Sequence, residues 1–152
     1  MKKLALICTA LCVSSCGQQA AETTATSAPP PAPIKSMTLE DIDFASYSED
    51  LAKFVGLENG EDRWAAIDKM RLYFAPEDGQ TILNTKTSSF DRPDGSVMIF
   101  SASGFKDDSI KAQELFMIFA GDKDAQTLAA YGLKQKCHRG DNTTEWQTNL
   151  CP

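Results

Sequence analysis

From residue 81 to residue 137 the chain alternates runs of strand-forming residues with tight polar turns, and this spacing leaves few ways to fold. Arg92-Pro93-Asp94-Gly95 separates Thr81 to Phe90 (TILNTKTSSF) from Ser96 to Phe105 (SVMIFSASGF). Proline fixes the first corner of such a turn, and Asp-Gly tolerates positive φ. Lys106-Asp107-Asp108 turns the chain again before Ile110 to Phe119 (IKAQELFMIF), and Gly121-Asp122-Lys123-Asp124 turns it before Gln126 to Cys137. Connections this short join antiparallel neighbours, because a parallel pair needs a crossover of a dozen residues or more. Ile110 to Phe119 fits helix or strand by pattern; its apolar second half and the turn after it favour strand. Ser96 to Phe105 begins apolar on both faces and belongs in the middle of the sheet. Gln126 to Cys137, diluted by alanines, is expected as a weaker last strand.

The residues before this region follow a helical pattern. Thr38 is placed to cap a short turn whose apolar residues are Leu39, Ile42 and Phe44. Ser48 is placed to cap a second (SEDLAKFVG), with Leu51, Phe54 and Val55 on one face and Gly56 as its stop. The strongest helix runs from Glu61 to Phe74 (EDRWAAIDKMRLYF), with Trp64, Ile67, Arg71 and Phe74 near one side, Met70 beside them, and Pro76 ending it. Trp64, Phe74, Phe100, Phe116 and Phe119 are expected in the core. The fold class is therefore α+β: N-terminal helices packed on an antiparallel meander of about four strands, with the Trp64 helix on one face. The same order occurs in cystatin-like and NTF2-like rolls and in small helix-then-sheet lipoproteins that help assemble outer-membrane proteins. That architectural likeness carries no function.

The N-terminus has a different character. Met1-Lys2-Lys3 is a positive start, and Leu4 to Val13 (LALICTALCV) is an apolar run too short to span about 30 Å of hydrocarbon as a helix. Val13-Ser14-Ser15-Cys16 follows and resembles the lipobox of bacterial lipoproteins, with Val in place of the family's preferred Leu. The resemblance implies a leader over 1–15, cleavage before Cys16, diacylglycerol on its sulfur, and acylation of the new amine with palmitate-type chains. Gly17, in the position where Asp retains such proteins elsewhere, implies the periplasmic leaflet of an outer membrane. Acyl chains at about 0.8 kcal/mol per buried methylene make such an anchor durable. Residues 16–36, the cysteine and a stretch rich in Ala, Thr and Pro (GQQAAETTATSAPPPAPIKS), lack the apolar residues of a core and read as a tether. In polyproline conformation about 20 residues reach up to about 60 Å. Residues 37–152 then form a single domain.

Five cysteines occur in the chain. On the lipoprotein resemblance Cys8 and Cys12 leave with the leader and Cys16 carries lipid, so Cys137 and Cys151 remain in an oxidising compartment. The simplest reading of that pair is a disulfide closing the turn-rich segment CHRGDNTTEWQTNLC, with a stabilisation of about 3 kcal/mol. A metal site at Cys137, His138 and Cys151 competes with it, but adjacent Cys and His rarely address one ion and no other Cys or His completes the set. Asp107 to Glu114 and the last sixteen residues also resemble stretches of exported bacterial proteins in which an Asp-Asp-Ser turn precedes a strand and Cys, Arg-Gly, Cys closes the domain. That likeness brings no activity with it.

No pattern of catalysis emerges. His138, the only histidine, sits beside the expected bridge and reads as a surface residue. Neither a nucleophile elbow, a zinc-protease helix, a P-loop nor a dinucleotide glycine pattern occurs. The carboxylate pairs Glu61/Asp62, Glu77/Asp78 and Asp107/Asp108 fall at a helix start and at turns, where they serve local hydrogen bonding. Asp122-Lys123-Asp124 begins like a calcium loop but lacks its remaining ligands. Arg139-Gly140-Asp141 and the formal sequon at Asn142 are accounted for by turn chemistry. Trp146, inside the closed loop, is the aromatic residue expected to be exposed or to plug the sheet end. Acidic residues number 21 against 15 basic, a net −6 that becomes −8 if Lys2 and Lys3 leave. This balance argues against a nucleic-acid partner and against electrostatic adhesion to anionic lipid. The expectation is a membrane-anchored, non-catalytic binding or scaffolding domain, without cofactor, meeting an envelope protein. A hydrolase using acidic residues and a small-ligand carrier are the alternatives.

Overall fold

The computed structural model describes residues 38–76 and 84–152, all within the unit Ser36–Pro152. The leader, Cys16, the tether, Glu77/Asp78 and Thr81 to Leu83 lie outside the described residues. Four strands, β1 (Asn84–Arg92), β2 (Gly95–Ser103), β3 (Ile110–Ala120) and β4 (Thr127–Cys137), form an antiparallel sheet in the order β1-β2-β3-β4. The meander is as the turns predict, and IKAQELFMIF is a strand. The last strand is as long as β3 despite its alanines, with register shifts between Ile110 and Ala112 and between Ile118 and Phe119.

The turns set the register. Arg92 pairs with Gly95 across a two-residue loop, which fixes Phe90 opposite Val97 and Lys86 opposite Ser101. Gly95 has φ +152°, and a Cβ there would stand 1.9 Å from the Phe119 carbonyl oxygen. Glycine is required at that point because β3 passes close by, as well as for the turn.

Both sheet faces are covered. On one face Phe100, Ala102, Leu115, Met117, Phe119, Leu128, Tyr131 and Leu133 pack with Leu51, Ala52, Val55, Ile67, Met70 and Phe74 of the helical layer. That layer comprises α1 (Glu49–Ala52), a 3-10 turn over Lys53–Val55, and α2 (Arg63–Tyr73). Ser48 caps α1 through its side chain, Asp62 caps α2 by accepting from the N–H groups of Trp64 and Ala65, and Gly56 stops the first pair at φ +78°. The opposite face carries Val97, Ile99 and Phe116, covered by a strap of two 3-10 turns that contributes Leu39, Ile42, Phe44 and Tyr47. Phe44 and Tyr47 meet Phe116 edge-on at 5.0 and 4.9 Å. Gly132 makes room for Phe116 and Tyr47, since a Cβ there would lie 2.6 Å from the Phe116 ring and 2.8 Å from Tyr47 Cβ.

The short apolar turn after Thr38 crosses to the side opposite the helices, so the second face of the sheet is covered too. Three expectations require correction. Trp64 is 63% exposed: the buried stripe of α2 runs through Ala66, Ile67, Met70 and Phe74, and its extension toward the N-terminus falls on Arg63, one residue away. Arg71, also expected near the apolar side, points outward to Asp68 at 3.1 Å. Phe54, in the 3-10 turn that follows α1, is 63% exposed as well, while Leu51 and Val55 are buried.

Candidate functional site

Within an antiparallel sheet, alternate residues of a strand bond to one neighbour and the rest to the other. Backbone bonds from Gly104 N to Lys111 O and from Gly121 N to Asp94 O flank the β2–β3 pairing. Extending that alternation sends the even-numbered groups of β2 to β3 and its odd-numbered groups to β1. On β1, Lys86, Ser88 and Phe90 then bond to β2, and the backbone groups of Thr85, Thr87, Ser89 and Asp91 point off the sheet. Most of this strand is exposed, and no further strand pairs with it among the described residues.

The opposite margin is closed. Ser48 exchanges two backbone bonds with Leu133, and Gln147 exchanges two with Gln135. Glu61 and Gly60 bond to the N–H and C=O of Leu128, and Arg63 N donates to Gln126 O. Three separate segments, from the strap, the start of α2 and the C-terminal loop, therefore cover β4. That loop is itself held, since Cys137 and Cys151 lie at disulfide distance with their Cα atoms 5.4 Å apart.

A polar row crosses the strap-covered face: Lys86, Ser101, Glu114 and Lys134 stand opposite one another on β1, β2, β3 and β4. Glu114 accepts from Tyr47 Oη at 2.6 Å and Ser101 Oγ at 2.7 Å, and Lys134 Nζ is 2.9 Å away. Burial pushes the Glu114 carboxyl up, but these hydrogen bonds and the lysine charge outweigh it and hold the group below the usual carboxylate range. Burial, and then the hydrogen bond to and charge of Glu114, push the Tyr47 phenol far above its ordinary value. The Lys134 ammonium also lies 4.1 Å from the Tyr47 ring centroid and 5.1 Å from that of Trp146. Trp146, 37% exposed, covers this end of the sheet with Lys136 also beneath it. Lys86, at the open margin, has no ion pair among the described residues.

The other residues singled out in the sequence have local roles. Glu61 accepts from Glu58 N and pairs with Lys69, and Asp62 is the α2 cap. Asp107 accepts from Ser109 N and Ile110 N, and Asp108 pairs with Arg139. Asp122 closes its turn through its backbone carbonyl, which accepts from Ala125 N. His138 is exposed. No group of three or more His, Cys, Asp or Glu side chains gathers among the described residues, and none of their helices is long and apolar enough to cross a membrane. Tyr47, Ser101, Glu114 and Lys134 carry no motif. A lone carboxylate inside the apolar strand IKAQELFMIF was the available signal, because such a group needs a buried partner. The chain matches no family model, no curated protein and no solved structure.

Proposed function

We propose that this is a lipid-anchored protein of a bacterial envelope, held through Cys16 on the periplasmic leaflet of an outer membrane. Its folded domain is a non-catalytic binding module that takes an extended segment of a partner protein along β1. The open β1 margin carries this reading. A nine-residue edge with its backbone donors and acceptors presented is a template for strand addition, and proteins normally blunt such an edge. Among the described residues β4 is covered and β1 is not. The lipobox-like Val13-Ser14-Ser15-Cys16 supports the anchor, and the acidic net charge of −6 points the partner away from nucleic acid.

The test places a photo-crosslinking residue in the full-length chain at Ser89 on β1 or Ala129 on β4, in intact cells, with and without Thr87→Pro. Proline at 87 removes an outward N–H and leaves the β1–β2 bonds in place. A crosslinked product at 89, absent at 129 and lost with Thr87→Pro, is expected. Equal products at both margins, or one indifferent to the proline, would overturn the reading. Cys16→Ala is expected to release the chain from membranes; continued retention would remove the anchor.

A further inference from the structure

A cavity of about 500 Å3 opens at one end of the helix-covered face, between the last turn of α2 and the bridged C-terminal loop. Leu51, Phe54 and Leu150 wall it, and Tyr73, Gln113 and Gln135 stand within it. Its size suits a small-molecule site, which typically measures about 300–1,000 Å3 and pairs apolar walls with a few convergent polar groups. Gln113 and Gln135 are 3% and 1% exposed. Their amides are oriented by a chain of bonds: Gln113 Nε2 donates to Tyr73 Oη at 3.1 Å and to Gln135 Oε1 at 3.2 Å, and Gln135 Nε2 donates to the Asn149 carbonyl at 2.8 Å.

That chain uses both protons of Gln113 Nε2 and leaves its Oε1 without a described donor. Among the described residues the sole buried side-chain N or O without a partner is Arg63 Nε, so Gln113 Oε1 is reachable from the cavity. Tyr73 Oη accepts one bond and keeps its own proton, and burial pushes that phenol up, so the proton stays. An acceptor and a donor thus stand on one polar wall opposite apolar side chains. A secondary amide has the matching donor and acceptor. Asp107 lines the cavity and no cation does so among the described residues, which disfavours an anion. Phe54 and Leu150, 63% and 65% exposed, offer apolar surface that a monomer otherwise leaves in water.

We infer that this cavity binds an uncharged amide bearing an apolar substituent, paired with Tyr73 Oη and Gln113 Oε1 and packed on Phe54 and Leu150. The site is separate from β1 and does not rest on strand docking.

The test is an NMR titration of the 15N-labelled full-length chain, following the side-chain NH2 signals of Gln113 and Gln135. N-acetyl-leucine amide is expected to shift them saturably. N-acetyl-leucine, which has a carboxylate, and N-acetyl-glycine amide, which has no apolar group, are each expected to bind about tenfold more weakly. Tyr73→Phe and Phe54→Ser, the latter at an exposed position that leaves the core intact, are each expected to lower affinity about five- to tenfold. A blocked tetrapeptide centred on leucine distinguishes the source. Tighter binding than the single amide marks a polypeptide, and equal or weaker binding marks a small amide. Absence of a saturable shift, equal binding of the carboxylate, or two variants that bind like the parent would overturn the inference.

Discussion

The outer strands of the sheet, β1 and β4, differ in what lies beyond them. β4 meets backbone groups from the strap, from the start of α2 and from the C-terminal loop, at Leu133, Leu128, Gln126 and Gln135. β1 meets no further strand among the described residues, and most of it is exposed. The polar row repeats the contrast. On the β4 side Lys134 and Glu114 are both nearly buried and bonded to each other, whereas Lys86 on β1 is exposed. Such an arrangement separates stability from availability: the margin that three segments reinforce fixes the fold, and the other can change its contacts without opening the core.

That separation predicts a graded response. The largest effect belongs to the C-terminal loop: Cys137→Ser with Cys151→Ser is expected to cost about 3 kcal/mol, read as the midpoint of urea unfolding. Next, Ser48→Pro removes an N–H bond to Leu133 and the α1 cap together, and is expected to cost about 2 kcal/mol. Glu114→Gln is expected to cost a similar ~2 kcal/mol near neutral pH, because it strips the charge that Lys134 and Tyr47 were built around. Since the Glu114 pKa is lowered on folding, its contribution is present above the ordinary carboxylate range. It disappears as pH falls through the depressed value. Melting temperatures of parent and Glu114→Gln should therefore converge in acid and diverge toward neutrality; a constant gap would contradict the role given to the charge. The smallest effects lie across the sheet, where Thr87→Pro and Lys86→Ala are each expected within about 0.5–1 kcal/mol of the parent. A loss from Thr87→Pro as large as that from Ser48→Pro would abolish the distinction between the margins.

Much of this architecture was legible in the residues. Arg92-Pro93-Asp94-Gly95 and the two later turns announce a meander, since their chemistry is local and needs no knowledge of the rest of the chain. Ser48 and Gly56 likewise delimit α1 and the 3-10 turn after it. What depends on distant neighbours was less readable. Trp64 reads as core by type and Phe54 shares a helical face with Leu51 and Val55, yet the buried stripe of α2 is rotated by one residue and both aromatics are exposed. The strap's destination depends on the missing side chain at Gly132, which shows its purpose only once Phe116 and Tyr47 are in place. Glu114 is the one acid in IKAQELFMIF, a signal that names no role, because its partners come from three other segments. The covered β4 margin was equally invisible, because it is made of single bridges that leave no periodic trace.

If the domain is anchored through Cys16 as proposed, the strap has a mechanical consequence. Tension arriving from the N-terminal side enters at the strap, whose grip on the sheet is mainly the packing of Leu39, Ile42, Phe44 and Tyr47 with one phenol clasped by Glu114. Only at its far end do the paired Ser48–Leu133 backbone bonds come under load. Peeling those few side chains would act as a shock absorber, lengthening the leash before the helices or the sheet are strained.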